Sequence, residues 1–240
     1  MKSINNQILF SKVFLIGEYS ACQFGRGILI CHPPKFHFQL RHNQKNKNDL
    51  MSIASNTYPI LKKYALHLDA PHKNHGGFGQ SSATFRAIGN ILKEWQIIQP
   101  TSLYEWYKWY LQFAWPTKKG LQPSGLDFLV QPFKGCHYID RNNDLIDSCS
   151  WVIENFGIVI AHMKHKVNTH EHLTTIINQK NQFLRLDEHT AMAYEAIIQK
   201  NSENLLLALN QFQITMRQLN LEHQNTYECI QQLMKLPHIL

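Results

Sequence analysis

The residues best equipped for chemistry lie in one short run, GGFGQSSATF at 76–85. Gly76, Gly77 and Gly79 let the backbone curl so that consecutive N–H groups face one centre. Phe85, Ile88, Ile91 and Leu92 recur at helical spacing, which predicts a helix opening directly after the glycines. The first N–H groups of such a helix have no partner within it, and they carry the positive end of its dipole. Gln80, Ser81 and Ser82 add an amide and two hydroxyls there, and Ala83 ends the run. Serine at that position can cap the helix, bind phosphate oxygens or ligand Mg²⁺. The sum is an anion cradle. By itself it is equally a well-capped helix start, and the residues alone leave both readings open.

Other chemistries fit less well. A Walker-type loop needs a Lys after its last glycine, and none follows here. A nucleophile elbow needs G-x-S-x-G after a buried strand. Here Gly79-Gln80-Ser81-Ser82-Ala83 ends in alanine, and LDAPHKNHGG before it is no buried strand. His162, His165, His170 and His172 are zinc-binding types, but no H-E-x-x-H pattern and no nearby cysteine accompany them. They read better as a polar loop between a strand and a helix. Cys22, Cys31, Cys136, Cys149 and Cys229 are scattered without a C-x-x-C pair, which predicts free thiols in a reducing compartment.

The elements that must position the cradle follow from pattern. Residues 7–16 (QILFSKVFLI) read as a strand, as do 27–31 (GILIC) and 36–40 (FHFQL), with Pro33-Pro34 breaking the run between them. Ile53 to Leu66 reads as helical with an interruption near Pro59, and 102–115 (SLYEWYKWYLQFAW) as a helix burying Leu103, Tyr107, Tyr110, Leu111 and Ala114. TKKGLQPSG at 117–125 is a loop, and GIVIAHM at 157–163 reads as a buried strand. Helices are expected at 170–179, 187–199, 204–219 and 223–236. Strands early and long helices late predict an α+β fold with a boundary near residue 150.

A formal net charge of +7 fits an anionic partner such as a nucleotide or nucleic acid, or simply a basic surface. A nucleic-acid partner would rest on this charge and on the aromatics beside Lys108 as a base-stacking platform; a packed core explains those aromatics as well. We expect no nucleic-acid partner. No apolar run reaches the roughly 18 residues of a membrane helix. Glu18 interrupts the first apolar stretch and no small-residue cleavage site follows, so a cytoplasmic protein without membrane attachment is expected.

Three segments, in order, resemble the GHMP small-molecule kinases, and among them the mevalonate kinases most, with phosphomevalonate kinases next. SKVFLIGEYSA at 11–21 is similar to P-G-K-x-x-L-x-G-E-[HY], GGFGQSSA to the phosphate loop G-L-G-S-S-A-A, and QPSGLDFLVQPFKG at 122–135 to P-S-G-x-D followed by a strand and a glycine. HKVNTHEHL at 165–173 is similar to a strand-to-helix turn ending in Thr.

The resemblance implies an N-terminal domain (1–150) like the second domain of ribosomal protein S5. It also implies a ferredoxin-like C-terminal domain (151–240). ATP would lie between them, with its triphosphate on the glycine loop. The implied activity is ATP- and Mg²⁺-dependent phosphorylation of a small hydroxy acid, mevalonate first, and a homodimer is compatible with it. Lys12 would stabilise the reacting hydroxyl and the γ-phosphate. Asp127 would be the base, and Ser81 the Mg²⁺ ligand. Glu18, Tyr19, Ser124, Gly125 and Thr169 would line the substrate.

This chain departs from the pattern where Phe78, Gln80 and Ser82 replace Leu, Ser and Ala of the loop, and FAWPTKKGLQ carries no acid to share the metal. The family's closing glycine-rich strand-turn is also missing after YECIQQLMKLPHIL. A second domain lacking its last strand is therefore expected, and a catalytically degenerate binding protein is the alternative.

Overall fold

The computed structural model describes residues 6–42, 44, 48–70, 77–119, 122–161 and 180–235. At its centre is a five-stranded antiparallel sheet organised around one long strand, β2 (Arg26–His42). β1 (Asn6–Ile16) runs along one side of β2. On the other side the first half of β2 pairs with β4 (Gly135–Asp140) and the second half with β3 (Tyr64–Asp69). β5 (Leu145–Ser148) continues the sheet from β4.

The expected strands 27–31 and 36–40 are thus one strand. Proline cannot donate to a ladder, so the Pro33-Pro34 pair is accommodated as a bulge, not as a break. Phe10 faces Lys35 while the next residue, Ser11, faces His32, which leaves the prolines outside the register. The Ser11 hydroxyl donates to the Pro34 carbonyl at 2.6 Å.

The apolar pattern of β2 dictates what covers it. GILIC has no polar alternation, and Gly27 to Cys31 are buried on both faces. Leu29 and Cys31 enter a core with α3 (Gln80–Glu94), α4 (Leu103–Ala114) and α5 (Leu126–Val130). Ile28 and Ile30 point oppositely, into a core with α7 (Lys180–Ile198) and α8 (Ser202–Gln218). FHFQL alternates, so Phe36, Phe38 and Leu40 are buried while His37 and Gln39 face water.

Several expectations need correction. The helical reading of Ile53 to Leu66 covers the end of α2 (Asp49–Thr57), a 3₁₀ turn over Pro59–Lys63 and the start of β3. The segment after P-S-G-x-D is the short helix α5, and the strand begins only at Gly135. α4 lies where expected, with a wider core-facing side. Tyr107 and Tyr110 are buried and Leu103, Leu111 and Ala114 pack partly buried against the core, while Trp106, Trp109 and Phe113 are buried as well, because packing large rings removes much apolar surface from water. Tyr110 stacks on Phe128 at 4.7 Å and Trp109 meets Phe113 at 5.1 Å, so these rings form core, while Tyr104 stays exposed with Lys108 Nζ 4.5 Å from its ring centroid.

Residues 157–161 are exposed and lie outside any strand, with Val159 at 81% exposure. An apolar run makes a strand only where a neighbouring edge accepts its hydrogen bonds. Residues 162 and 163, the expected helix 170–179, the four-histidine cluster, Gly76 and Thr169 lie outside the described residues. Of the remaining late helices, α8 and α9 (Gln224–Leu233) stand close to expectation, while α7 begins at Lys180 and not at the expected Asp187. No helix among the described residues is long and apolar enough to cross a membrane.

One ion pair ties α7 to the sheet. Asp187 is fully buried and accepts a pair of hydrogen bonds from the Arg26 guanidinium, one from Nε at 3.1 Å and one from Nη2. Arg26 is partly exposed, so the two halves of the pair are unequal. Removing the arginine strands a buried carboxylate, whereas removing the acid leaves a guanidinium that reaches water. Arg26→Met should lower unfolding free energy by about 3 kcal/mol and Asp187→Asn by about 1 kcal/mol. Chemical denaturation of both variants checks that order.

Candidate functional site

β1 is an edge strand, and two of its outer N–H groups are paired. Phe10 N donates to the Gln131 carbonyl at 3.0 Å, and Lys12 N donates to the Phe78 carbonyl at 3.2 Å. The end of α5 and the glycine loop are therefore seated side by side along that edge. Gly79 has φ +80°, and a Cβ there would lie 2.7 Å from Gln131 Nε2 and 2.9 Å from Lys12 Cε, so only glycine fits. Gly79 is also the N-cap of α3, and no side chain caps that end.

Asp127 sits in the first turn of α5, which opens from Gly125 at φ +68°. A Cβ on Gly125 would meet the Tyr107 ring at 2.6 Å. Before it, the 122–125 turn is held by three contacts. Tyr107 Oη donates to the Pro123 carbonyl at 2.7 Å, Gln122 Nε2 donates to Tyr107 Oη at 2.6 Å, and Arg141 Nη1 donates to the Ser124 carbonyl at 2.6 Å. Arg141 is itself buried and lies over the Tyr107 ring at 4.1 Å.

Lys12 and Asp127 converge, with Nζ 3.8 Å from Oδ2. Ser82 Oγ donates to the same Oδ2 at 2.5 Å. Lys12 and Ser82 are buried, and Asp127 is only slightly exposed, so their interaction is less screened than a surface pair. Lys12 and Asp127 line a cleft of about 520 Å³ whose other walls include Phe14, Glu18, Tyr19, Cys22 and Tyr110.

Glu18 keeps exposed surface, yet protein crowds its carboxyl within the cleft. This desolvation raises its pKa above 4.5, with Lys12 opposing the shift. Burial, then Glu18 and Cys22, push the Tyr19 hydroxyl up to about 12. Burial also raises the Cys22 thiol to about 11, against the nearby Ser124 backbone and Arg141. The Tyr110 hydroxyl is raised by burial first and by Asp127 second.

The structure brings Lys12, Glu18, Tyr19, Gly77, Ser124, Gly125 and Asp127 to one cleft. Gln80 and Ser81 lie exposed on the first turn of α3, while Ala83 is buried in its second core-facing row. The hydroxyl that reaches Asp127 is that of Ser82, because the rotation of α3 after Gly79 turns Ser82 inward. Sequence reasoning missed Tyr107, Tyr110, Gln131 and Arg141 as parts of the site. The aromatic α4 signalled Tyr107 and Tyr110 as core only, and no local pattern marks Gln131 or Arg141.

These groups suit a magnesium–triphosphate ligand. A glycine cradle and an uncapped helix start offer backbone N–H donors to phosphate, and the Ser82 hydroxyl and Asp127 carboxylate are hard oxygen donors of the kind Mg²⁺ takes beside phosphate and water. Among the described residues no group of three or more His, Cys, Asp or Glu side chains forms a metal cage.

No protein-family model and no curated protein sequence matches the chain. Solved structures do. The Streptococcus pneumoniae phosphomevalonate kinase in complex with phosphomevalonate and AMPPNP aligns with a TM-score of 0.63 at 12% identity, covering 89% of this chain and 80% of that one. The L. major mevalonate kinase in complex with R-mevalonate gives 0.59 at 14% identity over 92% and 78%. The mevalonate diphosphate decarboxylase from Staphylococcus aureus gives 0.63 at 13% over 94% and 79%. At such identity the likeness is one of fold: this chain has the mixed helix and antiparallel-sheet fold of the GHMP kinases.

The raised Glu18 pKa carries a sign. A carboxyl whose folded pKa lies above its unfolded value favours folding when protonated, and that contribution is lost as pH rises through the folded pKa. Glu18→Gln should therefore melt above the parent protein at pH 7, and the gap should close as pH falls below about 4.5. Melting curves across that range test it.

Proposed function

We propose that this GHMP-fold protein is an ATP-dependent kinase that phosphorylates the hydroxyl of a small acceptor, with mevalonate as the first acceptor and phosphomevalonate as the next. The observation carrying this reading is the meeting of Lys12, Asp127 and Ser82 beside a glycine loop that opens an uncapped helix. The P-S-G-x-D turn and the fold neighbours support an isoprenoid-precursor acceptor.

Phosphoryl transfer asks a protein for positioning and charge stabilisation more than for covalent chemistry. Bound Mg²⁺·ATP supplies the phosphoryl group and neutralises its charge. Asp127 takes the acceptor's hydroxyl proton on Oδ1 or Oδ2 as that oxygen attacks. Lys12 holds its ammonium 3.8 Å from the same carboxylate. The Lys12 charge also faces the negative charge that builds on the transferring group. Ser82 fixes the Asp127 rotamer, and we assign it with Asp127 as the protein's oxygen donors to Mg²⁺. Ser81, exposed on the same turn, is left for phosphate oxygens. Glu18, Tyr19, Ser124 and Gly125 line the acceptor side of the cleft. In this reading residues 1–150 form the S5-like nucleotide-binding domain and 151–240 the ferredoxin-like one.

A coupled ADP-release assay with mevalonate, phosphomevalonate and a sugar panel tests the proposal. Asp127→Asn should lower kcat by about 10²-fold or more, and it should also weaken Mg²⁺·ATP binding because it removes one of the two oxygen donors assigned to the metal. Nucleotide binding without turnover on any acceptor would favour a binding protein on this fold.

A further inference from the structure

Gln131 is a fully buried polar residue that the reaction outlined above does not use. It closes α5, with its backbone N donating to the Asp127 carbonyl at 3.2 Å. Its own carbonyl accepts from Phe10 N of β1 at 3.0 Å. Its side-chain Nε2 donates to the Gly79 carbonyl at 2.9 Å. One residue thus touches the helix that bears Asp127, the strand that bears Lys12 and the glycine loop.

The amide is an expensive way to fill that volume. A buried polar atom without a partner is destabilising, and Gln131 Oε1 has no protein partner. Methionine or leucine would fill the space without an orphan acceptor. What they would not do is hold the Gly79 carbonyl.

That carbonyl matters because a trans peptide points its C=O and the following N–H in opposite directions. Lys12 N holds the Phe78 carbonyl and Gln131 Nε2 holds the Gly79 carbonyl, both toward the protein. The N–H groups of Gly79 and Gln80 must then point the other way, as a phosphate cradle requires. The first of these locks is backbone and survives any substitution. The second is shared: Ala83 N donates to the Gly79 carbonyl at 2.9 Å from within α3, and Gln131 Nε2 adds the donor that ties that carbonyl to α5.

We infer that Gln131 is a positioning residue that ties the glycine loop to α5 and so keeps the loop's N–H groups, against bound phosphate, in register with Asp127. The inference rests on the kinase reading, and the experiment separates the two. Mg²⁺·AMPPNP affinity is measured by calorimetry for the wild type, Gln131→Met and Gln131→Glu, with steady-state KM values for ATP and for the acceptor alongside.

Gln131→Met keeps the volume and loses the donor. It should raise the nucleotide Kd and the KM for ATP roughly tenfold, as expected for one lost hydrogen bond to a charged ligand's cradle, with the acceptor KM within twofold. In Gln131→Glu the carboxylate meets the Gly79 carbonyl, and binding should be weaker still at pH 8. Protonation restores an O–H donor, so its affinity relative to wild type should recover as pH falls, while that of Gln131→Met stays flat. Equal nucleotide affinity in wild type and Gln131→Met, or parallel pH profiles for the two variants, overturns the role of Gln131 and leaves the kinase reading intact. A wild type that binds no Mg²⁺·AMPPNP overturns both. If Gln131→Met unfolds, the pH recovery of Gln131→Glu decides alone.

Discussion

The outer edge of β1 presents an N–H group at every second residue, and the architecture of the cleft is built on two of them. The donors of Phe10 and Lys12 fasten the end of α5 and the glycine loop to the same strand whose side chain supplies the cleft's ammonium. Unpaired edge donors would otherwise invite another strand. Spending them on two irregular segments fixes those segments to within hydrogen-bond tolerance of each other. The short separation of Lys12 from Asp127 follows from this geometry, since neither long-range pairing nor a shared helix relates the two residues.

Behind the cleft lies a wall of aromatic rings that gives α5 its place. Trp109 and Tyr110 stack on Phe128, and Arg86 lies over Trp106 at 3.9 Å. Planar rings have few rotamers to lose, so they hold a five-residue helix that could not persist by itself. Tyr107 links this wall to the cleft. Its ring is buried in the core, while its hydroxyl and the Arg141 guanidinium grip the carbonyls of Pro123 and Ser124 just ahead of Asp127. Apolar packing therefore sets the position of a charged group, and polar contacts set its orientation.

Signals that depend on chain-local chemistry were legible. The glycines of 77–79 and the periodicity of 80–94 mark a loop and a helix whatever surrounds them, whereas Lys12 and Asp127 stood out only through the resemblance to the GHMP kinase motifs. The runs at 27–31 and 36–40 were legible as strands, but not which parts of β2 would be covered on two faces and on one. Strandedness at 157–161 and 64–69 was misjudged in opposite directions, because a strand exists only where another edge pairs with it.

By itself, then, the sequence determined the glycine turn, the helix behind it and the residue types able to move a proton or steady a phosphate, since these rest on backbone freedom and helix-end chemistry within a few residues. Only the tertiary structure decided that Ser82 and not Ser81 meets Asp127, that Tyr107 and Arg141 hold the turn before it, and that Gln131 joins three elements. The physical reason is distance along the chain. Side chains 45 to 52 residues apart are brought within hydrogen-bond reach by how β1, α3 and α5 pack, and no local pattern encodes that rotation.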